Sequence, residues 1–107
     1  MKNNDDAQDV YNQAEALFKK GDFNGAITLY SKLINSGFGN QYDLKLIRVQ
    51  AYCKADRFSE AKQEAKQLLD ILKMGGAPVS SSRVMYWYLL AYNKGDEKKA
   101  MEEFIKL

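Results

Sequence analysis

The side chains of this sequence that could carry out chemistry are few and widely separated. Histidine is absent, and with it the commonest general base and the commonest transition-metal ligand. The single cysteine, Cys53, stands beside Lys54, whose positive charge could lower the pKa of the thiol and make it a nucleophile. Because the sequence offers no histidine to act as its base, we interpret Cys53 as a structural residue.

Two other groups match ligand-binding motifs only in part. Asp5, Asp6 and Asp9 could bind a divalent cation, but they lack the glycine and the terminal glutamate of a calcium loop. Gly21 and Gly25 are not followed by the lysine and hydroxyl residue of a phosphate-binding loop, and no strand precedes them. We therefore expect no catalytic residue, no metal site and no cofactor, and predict that the protein is not an enzyme.

Length and charge narrow the possible functions further. The chain has 107 residues, which is enough for one domain with a core of its own. Sixteen basic and fourteen acidic residues leave a net charge of only +2, so charge does not predict nucleic-acid binding. We interpret Lys62 and Lys66 as part of a solvent-facing surface, because Glu60 and Glu64 on the same predicted helix offset their positive charge.

The sequence also predicts the compartment. The longest apolar run, residues 84–92, is far shorter than the roughly 20 residues that span a bilayer, so we expect no membrane insertion. The N-terminus lacks the pattern of a signal peptide, and a lone cysteine cannot form an internal disulfide. These features favour a cytoplasmic protein, with the nucleus as a second possibility.

One short phrase occurs three times along the chain, at residues 20–26, 55–61 and 94–100. Its last residue is always alanine, and Ala26, Ala61 and Ala100 are spaced by 35 and 39 residues. Such a period is typical of a two-helix repeat. The extra residues of the longer spacing fall in the predicted loop 75–78, which contains two glycines and the only proline.

Each phrase is interpreted as the turn of a helical hairpin. Apolar residues recur with helical period on both sides of it, and Asp22, Asp56 and Asp96 are predicted to cap the second helices. We predict helices near 7–20, 23–35, 41–54 and 58–73, a fifth that starts at a serine after Pro78, and a last one after Gly95. The predicted hairpins cover about 7–38, 41–74 and 80–107, after a disordered lead at 1–6.

The repeated unit resembles the tetratricopeptide repeat. That family places a small residue in the first helix, a Gly-Asp-aromatic turn, and an alanine and an aromatic residue in the second helix. The second unit lacks the turn glycine, and the third has Glu97 in place of the turn aromatic. The matching residues are Ala14, Leu17, Gly21, Asp22, Phe23, Ala26, Tyr30 and Leu33 in the first unit, Ala51, Tyr52, Phe58, Ala61 and Leu68 in the second, and Gly95, Asp96, Ala100 and Phe104 in the third.

The resemblance implies an all-α fold, a right-handed α-solenoid of three hairpins, whose first helices line a concave groove. It also implies a non-catalytic adaptor or scaffold that holds another protein there. Domains of this family that bind chaperone C-termini use lysine, asparagine and arginine, but the matching places here hold Tyr11, Glu15, Ile47, Ser82 and Tyr86. We therefore expect an apolar peptide or an amphipathic helix as the ligand. The predicted partner-binding residues are Tyr11, Leu46, Ile47, Gln50, Met85, Tyr86 and Leu89.

Residues 52–61 also resemble a pentatricopeptide repeat, in which each unit reads one RNA base with two or three side chains. The matching base-reading places hold Asn12, Ile47 and Tyr86. Only Asn12 has a side chain suited to a base edge. An RNA-binding protein is therefore kept as an alternative.

The helix predicted over residues 84–92 is apolar on every side, so it must be covered on every side. We expect Trp87, Tyr88 and Ala91 to pack inside the domain and Met85, Tyr86 and Leu89 to remain exposed. Three occupants of this apolar surface are possible: a partner protein, a continuation of the chain, or a second copy in a homodimer. A self-associating domain that assembles a larger complex is therefore a further alternative function.

Overall fold

The computed structural model describes residues 4–73 and 81–106. This part of the chain is helical and contains no strand, which confirms the predicted all-α class. No helix in it is both long and apolar enough to cross a membrane. The helices are α1 (Asn4–Lys20), α2 (Phe23–Ser36), α3 (Gln41–Lys54), α4 (Phe58–Lys73), α5 (Ser81–Tyr92) and α6 (Glu97–Ile105).

The predicted helix boundaries agree closely with the structure. The bounds of α3 and α4 are those expected from the sequence. Helix α1 begins at Asn4, so residues 4–6 are helical although they were assigned to the disordered lead. Residues 1–3, the predicted loop 75–78 and the first of the serines proposed to cap α5, Ser80, lie outside the described residues.

Two of the three predicted N-caps are confirmed. The Asp22 carboxylate accepts a hydrogen bond from the backbone N–H of Gly25 at 2.9 Å, and Asp96 accepts one from Lys99 at 3.0 Å. The prediction for Asp56 is wrong, because this residue has a φ of +60° and lies one position before the cap. It occupies the left-handed position that Gly21 fills in the first turn, with a φ of +94°.

Each helix packs on its neighbours in the chain, and α3 also packs on α5. The molecule is elongated and flat, with extents of 49 × 32 × 18 Å. Its radius of gyration of 14.2 Å exceeds the value of about 13 Å expected for a compact domain of this length. Contacts between helices that follow one another in the chain therefore dominate the packing.

The core consists of two clusters that meet at α3. The first joins α1, α2 and α3 around Ala14, Tyr30 and Leu44. The second joins α3, α4, α5 and α6 around Val49 and Val84. Because α3 contributes to both clusters, it has little free surface. The alanines at the repeated position, Ala26, Ala61 and Ala100, are fully buried, as expected where two helices approach closely.

Candidate functional site

The predicted groove residue of α1 packs against its own hairpin. The ring of Tyr11 lies edge-on to Tyr30, with 6.3 Å between ring centroids, and 6.4 Å from Phe38. Burial raises the pKa of the Tyr11 hydroxyl, and the charge of Glu15 and a hydrogen bond to it add to the effect. Tyr11 is half-buried, so part of this residue remains accessible to solvent.

The prediction for Leu46 is wrong, because this side chain is only 2% exposed and belongs to the second core cluster. The physical reason is the position of α3 between two hairpins. Leu46 lies among the residues that pack with α5, whereas Ile47 packs with the first cluster. Gln50 is half-buried. On α3, therefore, Ile47 and Gln50 are the predicted residues that a partner could reach.

Helix α5 is covered more completely than the sequence indicated. Trp87 and Ala91 belong to the second core cluster, as predicted. Tyr86 was expected to be exposed, but its ring lies 6.0 Å from that of Phe104 on α6 and it is half-buried. Met85 and Leu89 are also half-buried. The apolar surface that α5 exposes is therefore smaller than the apolar composition of residues 84–92 predicted.

The most exposed large apolar side chains lie at the far end of the molecule, on α5 and α6. Tyr92 is 58% exposed, Met101 44% and Ile105 74%. Of these three residues, Tyr92 lines a shallow cleft together with Tyr88, Leu89, Glu103 and Lys106. Sequence reasoning identified Leu89 here but missed Met101 and Ile105. Their spacing of four residues on α6 was the available signal.

A second cleft lies at the open end of the first hairpin, between α1 and α2. Its lining includes Asp6, Val10 and Gln13 from α1 and Lys32 from α2, with Phe38 from the following loop. Both acidic and basic side chains border it. The sequence analysis did not single out this cleft, because its walls come from opposite ends of two helices.

An ion pair that the sequence analysis missed joins three helices. Arg48 Nε on α3 donates to Glu64 Oε1 on α4 at 2.7 Å, and Arg48 Nη2 donates to Glu64 Oε2. Arg48 Nη1 donates to the hydroxyl of Ser31 on α2 at 3.0 Å. The interpretation of Glu64 as a solvent-facing residue is therefore wrong: it is 8% exposed. Because the side chains of Arg48, Glu64 and Ser31 bond to one another, we interpret them as residues that stabilise the packing of α2, α3 and α4.

Cys53 lies in the second core cluster, with its Sγ 3.9 Å from the carbonyl oxygen of Trp87. Burial raises the pKa of the thiol to about 12, against a smaller lowering effect of Lys54. A neutral, buried thiol is a poor nucleophile. Within residues 4–73 and 81–106, no three His, Cys, Asp or Glu side chains are grouped as metal ligands would be.

Comparison with known proteins identifies no relative of this chain. No family model, no curated protein and no solved structure matches the chain. The arguments that follow therefore rest on the residues and contacts of this molecule.

Proposed function

We propose that the protein is a non-catalytic adaptor that binds an apolar or amphipathic segment of another protein. In this proposal the three hairpins form a tetratricopeptide-like, right-handed α-solenoid, and the protein acts in the cytoplasm or nucleus. The binding surface, here called the groove surface, lies on the first helix of each hairpin and excludes the buried Leu46. It consists of Tyr11, Ile47, Gln50, Met85, Tyr86 and Leu89.

One observation carries the proposal: α3 and α5 pack directly on each other, and both keep apolar side chains within reach of solvent. Ile47, Met85 and Leu89 are each half-buried. Apolar side chains that the fold leaves partly uncovered on neighbouring helices are typical of a surface that binds another protein. Docking an apolar segment there would complete their burial, at about 25 cal/mol for each Å² removed from water.

The proposed ligand follows from the character of this surface. Its centre is aliphatic and aromatic, and Gln50 is the polar member. A carboxylate-rich peptide would find no lysine or arginine among the six residues. An amphipathic helix presents a continuous apolar stripe, and it therefore fits the groove surface better than an acidic tail does.

The RNA-binding alternative has less support. Among the three candidate base-reading residues, Asn12 is exposed, whereas Ile47 and Tyr86 are half-buried and packed against the core clusters. A side chain that packs against its own core has little freedom to hydrogen-bond a base edge. Ribonuclease treatment distinguishes the two functions directly.

The test is affinity capture of partner proteins from a cell lysate on the immobilised full chain. We expect Met85→Glu and Gln50→Arg to reduce recovery of specific proteins at least about tenfold, because each places a charge in an apolar contact; that factor corresponds to about 1.4 kcal/mol. Gln67→Glu is the matched control, since Gln67 is exposed on α4. Recovery that is unchanged in both variants, or lost on ribonuclease treatment, would contradict the proposal.

A further inference from the structure

Three residues with a left-handed backbone conformation mark the same point in the three hairpins. Gly21, Asp56 and Gly95 have φ values of +94°, +60° and +87°, and each lies in the turn between the two helices of its hairpin. They are spaced by 35 and 39 residues, as are the buried alanines at the repeated position. Residues of the three first helices that lie equally far before these turns are therefore equivalent.

The position six residues before each turn changes in polarity from one end of the groove surface to the other. It is occupied by Glu15 on α1, Gln50 on α3 and Leu89 on α5. All three residues are half-buried, which agrees with their equivalent positions. The row therefore runs from a carboxylate through an amide to an aliphatic side chain, and a ligand that crosses the three helices meets a different polarity on each.

A second carboxylate lies at the first end of this row. Asp43, in the first turn of α3, is exposed. After burial, the charges of Glu15 and Asp43 both raise the pKa of the Tyr11 hydroxyl, so both carboxylates lie near the groove-surface residue of α1. Tyr11 packs against the same core cluster as Ile47 of α3. We call Glu15 and Asp43 the acidic end of the groove surface.

No ion pair within the described part of the chain neutralises the acidic end. Neither Glu15 nor Asp43 takes part in one there. Lys19 follows Glu15 by one helical turn, a spacing that permits an ion pair, yet these two side chains do not form one. Lys54, at the end of α3, has its Nζ 5.9 Å from the ring centroid of Phe23. The acidic end therefore places negative charge beside a surface whose six members are uncharged.

The other end of the groove surface offers only apolar contact. Met85, Tyr86 and Leu89 are half-buried on α5, which packs directly on α3. Met85 is equivalent to Leu46, which is buried in α3. An apolar side chain of a ligand gains from burial there, whereas an ionised one loses water without gaining a partner. The charge preference of the groove surface is therefore confined to its acidic end.

We propose that the segment bound by the groove surface is a basic amphipathic helix. Its lysine or arginine side chains bind at the acidic end, and its apolar stripe lies over α3 and α5. This inference rests on the proposed adaptor function and adds to it the charge of the ligand and its direction across the groove. The same two carboxylates repel acidic protein tails and the phosphate groups of nucleic acid.

The expected strength of these contacts decides what an experiment can detect. Ion pairs at the edge of an interface are exposed to solvent and individually weak, and they select the partner more than they add affinity. Removing both carboxylates should therefore weaken binding about three- to tenfold. Because Met85→Glu disturbs the apolar contact instead, the two changes separate charge from apolar binding.

Selection from a peptide library tests the charge of the ligand. The immobilised full chain is used to select from a display library of random peptides of about 16 residues, which as helices are about 24 Å long. We expect the selected peptides to combine an apolar stripe with more lysine and arginine than aspartate and glutamate. Their basic residues should cluster at one end.

The most strongly selected peptide is then measured against variants of the chain. We expect Glu15→Gln combined with Asp43→Asn, the acidic-end variant, to weaken its binding about three- to tenfold. The matched control is Asp70→Asn combined with Glu102→Gln, which removes the same charge from exposed positions on α4 and α6 and should leave the affinity unchanged. Circular dichroism checks that each variant is folded.

Salt tests the same charges without any substitution. Raising the salt concentration from about 0.05 M to about 0.5 M shortens the Debye length to about 4 Å. Wild-type binding should therefore weaken, and the difference between the wild type and the acidic-end variant should largely disappear.

Two results would overturn this inference alone: selected peptides that are neutral or acidic, or an affinity that is unchanged in the acidic-end variant or at high salt. In either case, loss of binding in Met85→Glu would leave the adaptor function standing. Selection of no peptide, or binding that Met85→Glu does not weaken, would contradict the adaptor function and this inference together.

Discussion

Cys53 illustrates how burial decides the chemistry of a single residue. In the sequence, the neighbouring Lys54 could have lowered the pKa of the thiol, but the absence of histidine favoured a structural residue. In the fold, Cys53 is 5% exposed, and burial raises its pKa from the usual 9.0 to about 12. Removal of the thiol from water therefore outweighs the charge of Lys54, and the group remains neutral over the physiological range.

This shift predicts a specific dependence of stability on pH. The folded-state pKa is about 12 and the unfolded-state value is 9.0, so the contribution is complete below pH 9 and is lost as pH rises toward 12. By pH 10 the loss amounts to about 1.4 kcal/mol. Urea unfolding under reducing conditions at pH 8 and pH 10 measures it.

Cys53→Ala is the informative comparison for this prediction. Alanine cannot titrate, so the variant should lose about 1.4 kcal/mol less than the wild type between the two pH values. Burial also raises the pKa of Tyr30 to about 12, from 10.0, but Tyr30 is present in both proteins and cancels. Equal losses in both proteins would show that the thiol reaches solvent in the native state.

At the scale of the helices, the turns between them set how closely hairpins approach. Gly95 has a φ of +87°, and a Cβ added there would lie 2.8 Å from Cζ of Phe58, the first residue of α4. Gly21 has a similar φ of +94°, but no atom lies within 4 Å of its added Cβ. Both glycines therefore need a left-handed backbone conformation, but only Gly95 lies against another side chain.

We expect Gly95→Ala to destabilise the fold more than Gly21→Ala does. Gly21→Ala should cost about 1 kcal/mol, because alanine disfavours the left-handed conformation. Gly95→Ala adds a steric conflict with the Phe58 ring, for about 1–2 kcal/mol more. Thermal or urea unfolding of the two variants side by side gives the difference. Equal costs would mean that the Phe58 ring moves aside freely.

At the scale of the whole molecule, Arg48 joins the first and second hairpins. Its guanidinium pairs with Glu64 on α4 and hydrogen-bonds Ser31 on α2. The hydrogen bonds and the charge of Glu64 raise the pKa of Arg48 against the opposing effect of burial. Because this side chain of the second hairpin binds Ser31 of the first hairpin as well as Glu64 of its own, it fixes how the first hairpin sits on the second.

Arg48→Met should therefore destabilise the protein strongly. It leaves the Glu64 carboxylate buried without its cation, a change that typically costs about 3–5 kcal/mol. The control is Lys66→Met, which removes an ion pair to Asp70 within α4, whose two side chains are 59% and 53% exposed, and should cost less than about 1 kcal/mol. Combining Arg48→Met with Glu64→Leu should restore most of the loss. Similar unfolding midpoints for the two single variants would refute a structural role of the pair.

Much of the fold could be predicted from sequence because its determinants are local. Helical periodicity and the repeated turn phrase defined the helices to within a few residues, and the aspartates of the phrase were predicted as caps, correctly for Asp22 and Asp96. The prediction that Asp56 caps α4 was wrong, because the second turn places an aspartate where the other turns place glycine. Its conformation depends on the path of the backbone, which the residue type alone did not reveal.

The sequence by itself determined which stripes of each helix are apolar, but only the tertiary structure decided what covers them. Leu46 and Met85 occupy equivalent positions, yet Leu46 is buried because α5 lies on it, whereas nothing in the described chain lies on Met85 in the same way. Likewise, Glu64 is buried through a partner 16 residues away. Periodicity fixes the direction of a side chain from its helix axis, whereas burial depends on whether another helix arrives there.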